Sequence, residues 1–148
     1  MIEPELAFAD LKDDMDCAEE YGKYCRKYVL LNNKDDLGFI DKFSSKGNTQ
    51  ELQKIVDTPF KRVTYTDAIK ELQAVNEKAK FQFPPHWELG LHTEHEKYLV
   101  EKVYGVPTIV YNYPKEIKSF YMRQNDDGLT VAAMDVLVPK IGELIGGS

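Results

Sequence analysis

The chain has 148 residues, with 19 basic and 25 acidic side chains and a formal net charge of −6. This length fits one domain that can bury a core of its own. Apolar residues make up 43% of the chain and charged residues 30%, which excludes a disordered or collagen-like protein. The acidic balance argues against attraction of the whole molecule to nucleic acid or anionic lipid. No apolar run approaches the ~20 residues that cross a bilayer, so we expect no membrane partner.

The N-terminal segment and the two cysteines bear on the cellular compartment. The segment MIEPELAFADLKDD lacks the basic region and the long apolar stretch of a secretory signal. Cys17 and Cys25 lie in a predicted helix at a spacing that separates them by about 12 Å, which is too far for a disulfide. We therefore expect two free thiols in a reducing compartment.

The first third of the chain has the period of amphipathic helices, because its apolar side chains recur every three or four positions. Asp13 and Asp14 stand where an N-cap and a first-turn acid are expected. The predicted helical region covers about residues 12–57 and has three stretches: one over 15–31, one over 37–43 that stops at Ser44-Ser45-Lys46-Gly47, and one that begins at Asn48.

The middle of the chain mixes a strand, a helix and a loop. Residues 60–65 alternate and are rich in β-formers, which predicts a strand. Thr66 is the expected cap of the helix that follows. Residues 77–91 combine prolines with aromatic side chains and have no period, so we expect an ordered loop there.

The last third begins with a helix from Thr93 to about Tyr104 that ends at Gly105, and it continues as strands. The predicted strands are 108–113, 117–122, 131–138 and 141–145, with a hairpin turn at 125–128. Their short connections indicate antiparallel pairing, because parallel strands need a long crossover. The predicted fold class is α+β, with the sheet formed by about residues 106–148.

A first group of candidate site residues is His92-Thr93-Glu94-His95-Glu96. The HxxH spacing differs from the pair of zinc-binding HExxH helices, which disfavours a metal site. Thr93 and Glu96 have the spacing of a capping box, with Glu94 in the first turn. Two interpretations stay open: capping alone, or capping that also presents Glu94 to a ligand.

A second group lies between Tyr113 and Met122. In an alternating strand Lys118, Phe120 and Met122 would share one face, and Ser119 and Tyr121 the other. One interpretation is an edge strand protected by proline and lysine. The other is a pocket framed by a lysine and a tyrosine, which suits a ligand with a carboxylate.

A third group consists of Asp135 and Glu143, which interrupt apolar strands, and the Gly146-Gly147 pair. Two carboxylates on neighbouring strands are costly to bury without a cation. Mg²⁺ held by these acids and by the phosphates of a nucleotide would satisfy them. The alternative is that both acids lie on a solvent-exposed face of the sheet.

At these residues the sequence resembles the catalytic domain of asparaginyl-tRNA synthetases, a family of class II aminoacyl-tRNA synthetases. The matching segments run in order over nearly the whole chain: MIEPELAFADL, TPFKRVTYTDAI, TEHEKYL, IVYNYPKEIKSFYMRQNDDGLTVAAMDVL and VPKIGELIGGS. The combination of NYPKEIKSFYM with GELIGGS is highly specific to this family.

The resemblance implies an antiparallel class II core and an enzyme that ligates asparagine to tRNA(Asn) through an asparaginyl adenylate. It implies ATP and Mg²⁺ as cofactors, a homodimeric parent protein, and a cytoplasmic or organellar location. For the cofactors it implies three residues: Glu143 and Asp135 as acids that hold the metal near the phosphates, and Gly146 in the lining of the same site. For the substrate it implies Glu94, Tyr113, Lys118 and Tyr121. It implies no catalytic side chain, in agreement with the lack of a Ser-His-Asp or Cys-His pattern.

The same resemblance implies that residues 1–148 form only part of a catalytic domain, from the end of motif 2 to just before motif 3. The ATP-binding arginines of motifs 2 and 3, the dimer-forming motif 1 and the anticodon-binding domain have no counterpart in the sequence. We therefore expect the 148 residues alone to be inactive. The alternative is a synthetase-derived binding or interaction module without catalysis.

Overall fold

The computed structural model describes residues 2–44 and 46–148. Met1 of the MIEPE segment and Ser45 of the predicted stop between two helices lie outside the described residues. The elements, in chain order, are α1 (Leu11–Asn32), α2 (Lys34–Phe43), α3 (Asn48–Asp57), β1 (Lys61–Thr64), α4 (Tyr65–Ala79), α5 (Thr93–Tyr98), β2 (Thr108–Pro114), β3 (Thr130–Val138) and β4 (Gly142–Gly147). A π-helix over Leu99–Tyr104 continues α5, and a 3-10 turn over Lys115–Ile117 follows β2. The predicted α+β class is confirmed.

The sheet has the order β1-β2-β3-β4. Strands β2, β3 and β4 pair antiparallel, as predicted, but β1 pairs with β2 in parallel. The prediction that the sheet is confined to residues 106–148 is therefore wrong by one strand. The connection from β1 to β2 carries α4 and α5, which is long enough for a parallel crossover.

The predicted strand over 117–122 does not form. Residues Lys115–Ile117 are a 3-10 turn, and the chain then pairs with β3 only through the isolated bridge of Gln124 with Val131. The side chains of Phe120 and Tyr121 are 99% and 72% exposed, so the alternation that suggested a strand buries neither aromatic ring. The predicted turn is confirmed, because the Gly128 N–H donates to the Asn125 carbonyl at 3.1 Å and Gly128 has φ +67°.

Two helix caps lie earlier in the chain than predicted. The N-cap of α1 is Asp10, which accepts from the backbone of Asp13 at 3.0 Å while the Asp13 carboxylate accepts from the Asp10 N–H at 3.0 Å. The cap of α4 is Thr64, not Thr66, and its hydroxyl accepts from the Asp67 N–H at 3.2 Å. Each cap residue is followed three positions later by an aspartate. The spacing of apolar residues alone does not predict where the helix begins.

Every residue of β3 is buried, and successive side chains alternate between the two faces of the sheet. One face carries Met134, Val136 and Val138, which pack in a cluster with residues of α1 and α3. The other face carries Val131, Ala133 and Leu137, which pack in a cluster with residues of α4 and of the helical segment after α5. Helices therefore cover both faces of the sheet, and this explains why β3 is apolar throughout except at Thr130, its first residue, and at Asp135.

Two further predictions can be compared with the described residues. Cys17 and Cys25 are free and half-buried, as their spacing predicts. Within residues 2–44 and 46–148, no helix combines the length and the apolar character that crossing a bilayer requires.

Candidate functional site

Asp135 is the acid that interrupts β3. The residue is 7% exposed and lies on the same face as Ala133 and Leu137. The Lys118 ammonium donates to both of its carboxylate oxygens, at 3.0 and 2.7 Å. Asp135 is therefore paired with a cation of the chain itself, and the alternative that it faces solvent is wrong; its role as a Mg²⁺ ligand stays a prediction.

Tyr113 completes this ion pair from β2. Its ring centroid lies 4.1 Å from the Lys118 Nζ, which is the distance of a cation–π contact. The residue is 3% exposed. Burial, together with the charge and hydrogen bonding of Asp135, raises the pKa of the Tyr113 hydroxyl far above its usual value. The phenol is therefore neutral and holds the lysine without adding charge.

A bulge between β2 and β3 brings Tyr113 to this face. Val110 pairs with Asp135 and Tyr111 pairs with Met134, but Tyr113 pairs with Val131, so Asn112 alone lies opposite two residues of β3. Asn112 has φ +58°, a left-handed conformation that asparagine tolerates better than most residues. With regular pairing Tyr113 would alternate onto the opposite face of the sheet.

A second bulge, in β4, places Glu143 beside Asp135. Val136 pairs with Ile145 and Leu137 pairs with Glu143, so one residue of β4 is unpaired between them. Glu143 and Gly146 are three residues apart and would face opposite sides of a regular strand. The bulge puts them on one side, where a Cβ on Gly146 would lie 2.9 Å from Glu143 Oε1 and 3.3 Å from Asp135 Oδ1. Gly146 therefore leaves the space in which the two carboxylates approach each other.

Glu96 of α5 is a third acid at this place, which sequence reasoning assigned only to a capping box. A Cβ on Gly142 would lie 2.6 Å from Glu96 Oε2. Burial raises the pKa of Glu96, the charges of Glu143 and Asp135 raise it further, and the Glu143 backbone and Lys118 act against them. The signal that could have found it is the helical spacing, since Glu94 and Glu96 on one short helix must point to different sides.

The group formed by Glu96, Asp135, Glu143 and Lys118, called the carboxylate cluster below, has three acids for one ammonium. Partial loss of hydration and the charge of Asp135 raise the pKa of Glu143, and Lys118 opposes them. Within the described residues, no three acidic, histidine or cysteine side chains converge well enough to hold a metal by themselves. Mg²⁺ binds with one or two carboxylates when phosphates supply the remaining ligands, and exposed Glu143 suits that arrangement. Asp135 already has Lys118 on both oxygens.

Glu94 contacts a different part of the molecule. Its two carboxylate oxygens accept from the backbone N–H groups of Gln82 and Phe83, at 3.0 and 2.9 Å. These bonds lower its pKa, with the Phe83 backbone as the largest cause. The predicted box of Thr93 with Glu96 is wrong: His92 is the N-cap of α5, and its N–H donates to His95 Nδ1 at 3.1 Å.

A cleft of about 430 Å³ lies away from the carboxylate cluster. Its lining includes Pro4, Lys12, Asp14, Arg123 and Ser148, and none of the residues predicted to bind substrate or cofactor. Of the predicted site, the structure brings together five residues: Tyr113, Lys118, Asp135, Glu143 and Gly146. Glu94 contacts the backbone at residue 82 and Tyr121 is exposed, so neither belongs to the carboxylate cluster.

The model of the family described as tRNA synthetases class II (D, K and N) matches residues 1–148. The chain is 52% identical to the asparagine–tRNA ligase of Protochlamydia amoebophila and 56% identical to the chloroplastic/mitochondrial asparagine–tRNA ligase of Arabidopsis thaliana. Both matches cover the whole chain, but 31% and 26% of the relatives. The chain therefore spans less than a third of the length of these relatives.

Solved structures agree with the sequence matches. The asparaginyl-tRNA synthetase of Pyrococcus horikoshii superposes with a TM-score of 0.78 and 33% identity over 96% of this chain and 31% of that chain. The same synthetase complexed with asparaginyl-adenylate gives a TM-score of 0.77 at 32% identity, over 96% of this chain and 30% of that chain. An asparaginyl-tRNA synthetase of Entamoeba histolytica shares the fold, with a TM-score of 0.74 at 23% identity. That match covers 97% of this chain and 30% of that chain. These matches confirm the predicted class II synthetase-like fold.

Proposed function

Because this chain belongs to the tRNA synthetases class II (D, K and N), we propose that residues 1–148 are part of the catalytic domain of an asparagine–tRNA ligase. The parent enzyme would activate asparagine with ATP to an asparaginyl adenylate and transfer it to tRNA(Asn). Support comes from the relatives named asparagine–tRNA ligase and from the likeness to a synthetase complexed with asparaginyl-adenylate. The part of the domain would run from the end of motif 2 to just before motif 3.

The observation that carries the proposal is the carboxylate cluster. Three acids face one ammonium there, so the group attracts a further cation. We assign Glu143 as a ligand of Mg²⁺ bound with ATP, and Asp135 as a second acid near the same phosphates. Gly146 has no side chain, which lets a nucleotide approach the two carboxylates closely. Bound Mg²⁺ would offset the charge of the triphosphate.

For asparagine we assign Lys118 and Tyr113 to the binding site. The Lys118 ammonium has three donors, and Asp135 holds it in one position. It can therefore donate to a ligand oxygen with little further loss of side-chain freedom. Tyr113 limits its motion from the other side. Glu94 and Tyr121 stay predictions as substrate-binding residues: the first contacts the backbone of residues 82–83, and the second is exposed.

The chemistry requires no nucleophile from the protein. A carboxylate oxygen of asparagine forms a bond to the α-phosphorus of ATP while the bond to pyrophosphate breaks. A hydroxyl of the tRNA then attacks the acyl carbon of the adenylate, so that the asparaginyl group passes to the tRNA and AMP leaves. The contribution of this chain is to hold the two reactants in line and to place charge around the phosphates. Lys118 fulfils the first task and Glu143 the second, through the metal it would hold.

The remaining features of the parent enzyme belong to the same proposal. It would be a homodimer, located in the cytoplasm or in an organelle, with asparagine, ATP and tRNA(Asn) as its partners. We expect the 148 residues alone to be inactive, because the resemblance assigns the arginines that clamp the triphosphate to other segments. Asparagine-dependent ATP–pyrophosphate exchange by the purified 148-residue chain would contradict this expectation.

The test of the assignment is Glu143→Gln in the full-length protein. Asparagine-dependent ATP–pyrophosphate exchange should fall by on the order of 10²-fold, as for the loss of one strong electrostatic contact at the reacting phosphates. The matched control is Glu88→Gln, because Glu88 is exposed in the loop between α4 and α5. Unchanged exchange by the Glu143 variant across a range of Mg²⁺ concentrations would refute the metal-ligand role. A full-length protein without any exchange would favour the alternative of a non-catalytic interaction module.

A further inference from the structure

The turn between β3 and β4 leads directly into Glu143, and carboxylates of other segments hold it. Gly142 is buried with φ +95°, a conformation that favours glycine. A Cβ on Gly142 would lie 2.6 Å from Glu96 Oε2, which is too close for a side chain at this position. Only glycine therefore lets the carboxylate of α5 reach the backbone at the start of β4.

A second carboxylate holds the same turn from another side. Glu101 Oε1 accepts from the Lys140 N–H at 2.8 Å, and the Lys140 ammonium pairs with Glu51 of α3. Lys140 has φ +67°, so the turn contains two left-handed residues, Lys140 and Gly142. A backbone of this kind is costly unless surrounding contacts fix it. Glu101 fixes its first half, and Glu96 is in position to fix its second half.

We infer that Glu96 is a positioning residue: it accepts from the backbone at Glu143 and thereby directs the Glu143 side chain to the face that Gly146 and Asp135 share. The role of Glu96 in aiming a metal ligand rests on the proposed function above. The role of Glu96 in fixing the turn does not, because it follows from the contacts of Gly142 alone.

The surroundings of Glu96 favour a role as acceptor over a role as a charge. The residue is half-buried, and the acids nearest to it are Glu143 and Asp135. Lys118, the cation of the cluster, is already bound by both oxygens of Asp135. A carboxylate in such a place is useful for the hydrogen bond that it accepts from the backbone, and an amide oxygen can accept the same bond.

The first experiment measures amide hydrogen exchange of the full-length protein without ligands. In Glu96→Ala, the Gly142 and Glu143 amides should exchange about tenfold faster than in the unmodified protein, because the backbone has lost its acceptor. In Glu96→Gln they should exchange at nearly the original rate. The control is Glu101→Ala, which should speed exchange at Lys140 and leave Glu143 unchanged.

The second experiment measures ATP–pyrophosphate exchange by the same variants. Glu96→Ala should raise the KM for Mg²⁺·ATP about tenfold, as the loss of a group that orients a metal ligand does, with the KM for asparagine nearly unchanged. Glu96→Gln should restore the KM. If Glu96→Gln behaves like Glu96→Ala, the charge of Glu96 matters and the positioning role is wrong.

The amide exchange tests whether Glu96 fixes the turn, and the KM for Mg²⁺·ATP tests whether Glu96 orients Glu143 as a metal ligand. Faster amide exchange in Glu96→Ala with an unchanged KM would refute the link to Glu143 as a ligand and leave the turn assignment correct. Unchanged amide exchange at Gly142 and Glu143 would refute the inference itself, whatever the enzyme does. A variant that fails to fold is identified by exchange across the whole chain, and Glu96→Gln then decides the question.

Discussion

The two faces of β3 differ in what stabilises them. On the face toward α1 and α3, Met134, Val136 and Val138 pack among apolar side chains. On the face toward α4 and α5, the apolar residues are interrupted by Asp135, which is held by Lys118 beneath the ring of Tyr113. The first face is stabilised by area removed from water, and the second depends at one point on a charge that must be paired.

The fold forms a polar site inside a sheet that helices cover on both faces. The pairing is irregular on both sides of β3: two residues of β3 lie opposite Asn112 of β2, and β4 has one extra residue between Glu143 and Ile145. These bulges turn Tyr113 and Glu143 toward Asp135, whereas the apolar face needs no such irregularity. Departures from regular pairing therefore mark the functional face.

The largest effect that would test this difference is the loss of the Asp135 counter-ion. Lys118→Met should lower the free energy of unfolding of the 148-residue chain by about 3 kcal/mol, because it leaves a nearly buried carboxylate without its partner. Urea denaturation measures this loss. Adding Asp135→Asn to the variant should recover part of it, since the buried group is then neutral.

The control for the ion pair is Lys12→Met. Lys12 pairs with Asp16 on the surface of α1, where both side chains are largely exposed. Its removal should cost far less stability than the removal of Lys118, because water and salt screen an ion pair on the surface. If Lys118→Met costs no more than Lys12→Met, then the pair contributes nothing to the charged face and the contrast between the two faces of β3 fails.

A smaller effect should separate two adjacent glycines that face opposite sides of β4. A Cβ on Gly147 would lie 2.6 Å from Asp14 Oδ2 and 2.9 Å from Met134 Cε, so Gly147→Ala should cost about 1–2 kcal/mol by displacing packed groups on the apolar face. Gly146→Ala instead meets the exposed Glu143 carboxylate and should cost under about 1 kcal/mol. In the full-length enzyme the Gly146 variant should raise the KM for Mg²⁺·ATP, and the Gly147 variant should leave it nearly unchanged. Equal losses of stability would contradict the assignment of the faces.

The sequence predicts those parts of this molecule that depend on a repeating pattern. The stripes of α1 and α2 and the apolar run of β3 follow from the spacing of apolar residues. The two acids in apolar surroundings, Asp135 and Glu143, stand out for the same reason. Their proximity in space was predicted as well, because consecutive strands with a short link pair as neighbours.

The parts that could not be predicted depend on contacts between distant segments. The pairing of β1 with β2 in parallel is decided by the packing of α4, and no local pattern encodes it. The 117–122 segment alternates like a strand, but the turn at Lys115–Ile117 redirects it and Lys118 finds its partner on β3. Helical spacing separates Glu96 from Glu94, but its contact with Gly142 joins residues far apart in the chain, and no local pattern shows that contact.

The smallest effect concerns His95, the buried side chain that joins α5 to the loop at 81–83. The residue is 1% exposed, its Nδ1 accepts from the His92 N–H at 3.1 Å, and its Nε2–H donates to the Phe83 carbonyl at 2.8 Å. A proton on Nδ1 would meet another donor, so this arrangement needs the neutral ring. Burial is the largest cause that lowers the pKa of His95, with the charge of His92 in the same direction and the Phe83 carbonyl and Glu94 opposing it.

Because the folded state lowers the pKa of His95 below its ordinary value of 6.5, the unfolded chain takes up this proton first as the pH falls. The unfolded state then binds more protons, so the contribution of His95 to stability is complete above that pH and is lost as the pH decreases through the lowered pKa of the folded state. His95→Gln removes this dependence. The raised pKa values of Glu96 and Glu143 act in the opposite direction, but both chains contain these acids and their effect cancels in the difference. Urea denaturation at several pH values should therefore show the stability gap between the original chain and His95→Gln narrowing from about pH 7 to about pH 5. A gap that stays constant or widens would show that the buried ring accepts its proton without losing the bonds that hold α5 over the charged face.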